Sequence, residues 1–248
     1  MFIGLNSILN KYQQYFIKNA DKFKEIKKQR GMTLLEIIIV LGIIGTIAAG
    51  VVILAQRAFD SRAISDLVSN TNTVRIAVKD AYQREGNYPA ADTGEVLAYN
   101  ANTIKDSTAS KTITARLVQL GKISVDEARN SISNDYLNIG GAITSLGSTT
   151  DKGFVIEING LDQTQCRSII SQVGNNWDYV ATVNAPAGSY TVNGSNFDMT
   201  TAAEANPTTA EAVLRSFDTT TGSQTITAAM TAAVCSADSS NGVILGSR

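Results

Sequence analysis

Residues Met32 to Ala55, MTLLEIIIVLGIIGTIAAGVVILA, form an apolar run of 24 residues with one ionisable side chain, Glu36. As a helix the run is roughly 36 Å long, enough to cross the hydrocarbon of a bilayer. A secretory signal has a shorter apolar region, about 7 to 15 residues, followed by a small-residue cleavage site. This run does not follow that order and reads as a retained anchor. A charge at the centre of a membrane span costs roughly 2.5 to 3.5 kcal/mol on insertion scales. An acid inside such a run therefore implies a function and a partner.

Charge is distributed unevenly along the chain. Residues 1–31 carry seven Lys/Arg (Lys11, Lys18, Lys22, Lys24, Lys27, Lys28 and Arg30) against Asp21 and Glu25, whereas residues 32–248 hold 14 bases against 20 acids. A basic segment ahead of an apolar span stays on the cytoplasmic side, so the acidic bulk is expected to be translocated. No other basic patch suggests nucleic-acid binding. Cys166 and Cys235 both lie in the translocated part, where an oxidising compartment favours a disulfide closing a loop of about 70 residues. Two free buried thiols are the alternative. The chain has no histidine, which removes Ser–His and Cys–His catalysis and the commonest metal ligand. Asp126 and Glu127 sit in a polar stretch and read as helix-start chemistry rather than a catalytic carboxylate pair. No cofactor or metal site is signalled.

Beyond Ala55 the pattern turns amphipathic, with Phe59, Ala63, Leu67, Val74, Val78 and Tyr82 at helical spacing. One helix is thus expected from Thr33 to about Glu85, ended by Gly86, Asn87 and Pro89 in EGNYP. Residues 86–150 read as a connecting region. It contains a helical TARLVQLGK, a Ser124/Glu127 capping-box spacing and a turn at Gly140–Gly141. GFVIEI alternates as a strand, with Phe154, Ile156 and Ile158 on one face. In LDQTQCRSIISQVG, Asp162 and Gln165 have N-cap and reach-back spacing. Cys166, Ile169, Ile170 and Val173 share a face there, and Gly174 ends the helix. WDYVATV is expected to place Trp177, Tyr179, Ala181 and Val183 on one side of a strand, with GVIL a further strand in a small antiparallel sheet. AEAVLRSF reads as helix and QTITA as strand.

The stretch RGMTLLEIIIVLGIIG resembles the prepilin signature: a basic leader ending in Gly31, Met32 as the new N-terminal residue, Glu36 four positions on, then an apolar helix. The 31-residue leader and Met32 in place of Phe resemble the type IVb branch. The likeness extends through AQRAFDSR, GNYP, LVQLGKIS, DEARN and CRSI to the major pilins of enteric bacteria. It is nearer to the longus and colonization-factor III group than to the toxin-coregulated group, and thins after about residue 185.

The resemblance implies an α+β type IV pilin fold, a long N-terminal helix whose second half packs on a small antiparallel sheet, with a disulfide-bounded C-terminal region that Cys166 and Cys235 match. It further implies cleavage between Gly31 and Met32 by a prepilin peptidase, N-methylation of Met32, and packing of the apolar helices into a filament. The implied partners are further copies of the chain, the peptidase, an inner-membrane assembly platform with its ATPase, an outer-membrane secretin, a minor pilin and, before assembly, the bilayer. The organisation expected is a cleaved leader at 1–31, a membrane and filament-core half-helix at 32–55, and a globular domain at 56–248. That domain divides into an amphipathic helix (56–85), a connecting region (86–150) and a sheet with the disulfide (151–248). The precursor would lie in the inner membrane with its globular part periplasmic, and the product would be extracellular.

Cleavage would create an ammonium at Met32, and an ammonium and a carboxylate each cost several kcal/mol if left unpaired in apolar surroundings. Pairing Glu36 of one subunit with the Met32 amine of a neighbour offsets both and fixes axial register. The alternative leaves Glu36 solvated at headgroup depth. Gly42, Gly45 and Gly50 lie inside the run and cost about 1 kcal/mol each relative to Ala. Close helix packing fits Gly50, beside Ala48 and Ala49, and local unwinding fits Gly42 to Gly45. The leading function is a structural one, the major subunit of an adhesive type IVb pilus. The alternatives are a type II secretion pseudopilin and a membrane-anchored periplasmic binding module; an enzyme is not indicated.

Overall fold

The computed structural model describes residues 33–106 and 111–248. The chain divides into two units at the Ala55/Gln56 boundary. Helix α1 runs from Leu34 to Tyr82. Thr33 starts it, accepting the Glu36 N–H on its hydroxyl at 3.2 Å. After Tyr82 the chain turns through Gly86, whose φ of +69° favours glycine. Past Gln56, α1 buries Ile64, Leu67, Thr71, Val74, Ala77, Val78 and Tyr82. Phe59, expected on this inward face, is 71% exposed instead, because the buried stripe begins only at Ile64.

The remaining helices are α2 (Thr93–Ala98), α3 (Ile113–Gln119), α4 (Gln163–Val173) and α5 (Ala228–Val234). The strands are β1 (Asn138–Ile143), β2 (Gly153–Leu161), β3 (Tyr179–Asn184), β4 (Phe197–Asp198), β5 (Ala212–Arg215) and β6 (Asn241–Ser247). They form one sheet in the order β4-β1-β2-β6-β3-β5. The sheet is antiparallel except at one edge, where β4 pairs parallel with β1 through Ala142↔Phe197. It is therefore mixed and six-stranded, wider than the small antiparallel sheet expected.

One apolar cluster joins α1, α4 and one sheet face, with Leu67, Val78, Phe154, Ile156, Ile170 and Leu245 among its members. A second lies on the other face, where Ala91, Val192 and Met199 cover Val155, Tyr179 and Ile244. Helix α4 opens with the expected capping box: Asp162 accepts from Gln165 N–H at 2.8 Å and Gln165 accepts from Asp162 N–H at 3.0 Å. Cys166, Ile169, Ile170 and Val173 are its buried face, and Gly174 is its C-cap. Cys166 is bonded to Cys235, 69 positions away.

Several local readings are corrected. Gly140 and Gly141 stand in β1 rather than a turn. A Cβ at Gly140 would strike the Ala91 backbone and one at Gly141 the Tyr88 carbonyl, so these glycines permit a close backbone approach. AEAVLRSF is a strand, not a helix: Ala212 and Leu214 are buried while Val213 and Arg215 are half-buried, a period of two. QTITA is not a strand. The Asn175 carboxamide oxygen accepts from Ile226 N–H, Gln224 donates to the Leu214 carbonyl, and Thr227 caps the start of α5. Trp177 precedes β3 and joins the helix-side cluster with Val180, whereas Tyr179 and Ala181 belong to the opposite face. Ser124 and Glu127 make both reciprocal capping bonds, but around a turn rather than a helix.

A fully buried carboxylate lies within this sheet. Glu157 accepts from Thr191 N–H and hydroxyl at 2.7 Å each, from Val192 N–H at 2.8 Å and from the Asn138 carboxamide at 3.3 Å. It thereby holds the segment after β3 across β2. Next to it, Tyr190 donates to the Tyr136 carbonyl at 2.5 Å, and burial pushes its phenol far above the usual range. Glu157→Gln turns an acceptor into a donor facing backbone N–H groups, with an expected loss of about 1.5–3 kcal/mol in urea unfolding. Cys166→Ser with Cys235→Ser should cost about 2–5 kcal/mol in the same measurement.

Candidate assembly surface

Between Leu34 and Leu54, α1 carries a sleeve of exposed apolar side chains. Leu34 is 80% exposed, Leu41 62% and Leu54 66%, and Ile37, Ile38, Ile39, Ile43, Ile44 and Ile47 are all exposed. It is the one described helix long and apolar enough to cross a membrane. The helical ladder satisfies the backbone without water, and the Thr46 hydroxyl bonds back to the Ile43 carbonyl at 2.8 Å. The β-branched residues that dominate the run are modest helix formers, so the fold here rests on burial in lipid or against other helices.

Glu36 lies in the first turn of α1, where a carboxylate also suits the positive end of the helix dipole. Its side chain is exposed and meets no cation among the described residues. Gly31 and Met32 lie outside the described residues, as does the basic leader. Helix α1 is unbroken through Gly42, Gly45 and Gly50, and a Cβ at any of them would meet nothing within 4 Å. Nothing among the described residues therefore calls for glycine at these positions.

In its second half α1 is held by an arginine that the apolar pattern hides. Arg75 donates to the Asn176 carbonyl at 2.7 Å and to the Ser247 hydroxyl at 2.9 Å, with its guanidinium 4.6 Å from the Trp177 ring centre. The Asp178 carboxylate stands 3.7 Å away. A cation set among Val74, Ala77 and Val78 is the only trace of this role in the sequence. One turn on, Asp80 pairs with Lys122 after α3. The bond and charge of Lys122 lower the Asp80 pKa, so this contact is present above the ordinary carboxylate range and is lost as pH falls through the lowered value. Asp151 behaves oppositely. Burial raises its pKa against the Asn196 N–H bond, so its ionised form costs stability that is regained as pH falls through the raised value.

The family model for the toxin-coregulated pilus subunit TcpA matches residues 116–245, and the prokaryotic N-terminal methylation motif matches residues 26–52. A toxin coregulated pilin of Vibrio cholerae is 40% identical over 171 residues, covering 68% of this chain and 70% of that protein. The chain belongs to the toxin-coregulated pilus subunit family. A second such pilin, from Vibrio cholerae serotype O1 El Tor, is 39% identical over 170 residues, covering 68% and 69%. This type IV pilin also shares its fold with the crystal structure of TcpA from Vibrio cholerae El Tor. The TM-score is 0.58 at 22% identity, over 75% of this chain and 99% of that one. The methylation motif spans Gly31, Met32 and Glu36, and the pilus family model spans Cys166 and Cys235.

Replacing Arg75 by Met should lower the stability of this pilin by about 1.5–3 kcal/mol in urea unfolding of the full chain in detergent. Lysine at that position, with a point charge instead of a fork, should recover less than half of the loss.

Proposed function

We propose that this pilin is the major subunit of a type IVb pilus that serves adherence, colonisation and bacterial aggregation. The observation that carries the reading is the bare apolar sleeve of Leu34–Leu54, most of which lies within the methylation motif at 26–52. Covering one large aliphatic side chain is worth about 1.5–3 kcal/mol, so the sleeve resides either in lipid or against the helices of other copies. The pilus family match over the globular part separates this reading from a pseudopilin.

In this account a prepilin peptidase cuts between Gly31 and Met32 and methylates the new amine. Before assembly the sleeve anchors the subunit in the inner membrane, with the globular part on the periplasmic side. A platform with its ATPase then moves it into the growing filament, which leaves through a secretin and carries a minor pilin. Glu36 meets the Met32 ammonium of a neighbouring subunit, and the exchange of two unpaired charges for one pair sets the register. Gly50 admits a neighbouring helix, and Gly42 to Gly45 let the helix loosen when it leaves lipid.

Sheared surface fibres should contain this chain beginning with N-methylated Met32, read by N-terminal sequencing and mass spectrometry. Fibres beginning at Met1 would overturn the reading. Glu36→Val should leave the precursor inserted and processed but cut fibre yield at least tenfold, measured by electron microscopy and immunoblotting. Normal fibres from that variant would remove the pairing step.

A further inference from the structure

The ribbon formed by β5, β3 and β6 is charged oppositely at its two ends. Toward the end holding Tyr179 of β3, Arg215 of β5 and Ser247 of β6 lie the four cations Arg75, Lys79, Arg215 and Arg248, and Asp178 pairs with the first of them. Arg75 lies 3.7 Å from that carboxylate and the Arg248 backbone N–H donates to it at 3.4 Å, while the Arg248 guanidinium lies 5.6 Å from the Phe217 ring centre. Arg215 reaches the Asn175 carbonyl at 3.4 Å, beside the Asn176 carbonyl that Arg75 holds. Lys79, one turn beyond Arg75 on α1, makes no side-chain bond or ion pair among the described residues. Burial lowers its pKa, and Arg75 and Arg248 push it the same way against Asp178. Asp178 is the one carboxylate in an ion pair with these four cations among the described residues.

At the other end, Glu211 directly precedes β5 and Asp238 lies in the turn before β6. Both are exposed, and neither carboxylate has a partner among the described residues. They rim a groove of about 100 Å³ with Val183, Asn184, Ala210 and Ser236. The pairings Tyr179↔Gly246 and Asn184↔Asn241 put the two ends one strand apart, about 17 Å at roughly 3.3 Å per residue.

We propose that the cluster of Lys79, Arg215 and Arg248 on one copy docks against the Glu211/Asp238 rim of the next, a head-to-tail contact between globular domains in the fibre. The inference rests on the pilus-subunit reading. A second copy is favoured as the occupant because both poles belong to the same chain and complement each other. A contact between two different ends does not close on itself and so propagates as a filament. Residues 32–248 hold 14 bases against 20 acids, so a cationic pole stands out on this surface and steers approaching copies toward one face.

The test is a charge swap in piliated cells expressing the full chain. Lys79→Glu and Asp238→Lys should each lower the yield of sheared fibre about fivefold, the scale of one lost half-exposed ion pair. Each should also shift fibre dissociation to lower salt. Combining the two should restore the yield to within about twofold, because the reversed charges attract again. Chain level and the Cys166–Cys235 bond, checked by non-reducing gel, report folding. If either single variant fails that check, Arg248→Glu with Glu211→Lys serves for the same comparison. Single reversals that assemble like the parent at every salt concentration, or a combination no better than the worse single, overturn the inference. If the parent chain forms no fibres, the pilus reading fails instead.

Discussion

A helix whose first half has no cover among the described residues imposes the main constraint on this molecule. The exposed isoleucines, valines and leucines between Leu34 and Leu54 are incompatible with water over that length, so every state of the chain must provide another apolar environment. Lipid and a bundle of like helices are both apolar, and the free-energy difference between them is small. Small differences of this kind are decided by the few polar groups involved, and Glu36 is the one acid in the run. The globular part is arranged around the same helix: Leu67, Val74, Val78 and Tyr82 provide the surface on which the sheet and α4 pack.

Polar groups fix the rest of the fold. Glu157 is buried with four donors around its carboxylate, and Asn159 donates to Asp135 at 2.7 Å and to the Ser189 carbonyl at 3.0 Å. These side chains lie on β2 near the middle of the sheet and hold loops that have little regular structure of their own. Apolar burial alone would allow those loops several arrangements; a buried charge with satisfied donors allows few.

Where one physical rule acts over many residues, the sequence was legible. The apolar run, the amphipathic stripe from Leu67 to Tyr82, the alternation in GFVIEI and the Asp162/Gln165 cap each emerged as expected. Misreadings arose where tertiary contact overrode local preference. Gly140 and Gly141 have the composition of a turn, but serve the approach of Tyr88 and Ala91. The alanine-rich AEAVLRSF has helical propensity, yet its short apolar pattern is satisfied by the edge of the sheet beside β3. Arg75 gave no periodic signal, because its partners Asn176, Trp177, Asp178 and Ser247 are about a hundred residues or more away in the chain. Gly31, Met32 and Glu36 were legible only as a motif, which the methylation match over residues 26–52 spans.

The position of β6 has a kinetic consequence. This strand, Asn241–Ser247, sits in the interior of the sheet and bridges β2 and β3, which do not pair with each other. The halves β4-β1-β2 and β3-β5 therefore remain separate until the last strand in the chain arrives, and contacts of such long sequence separation form slowly.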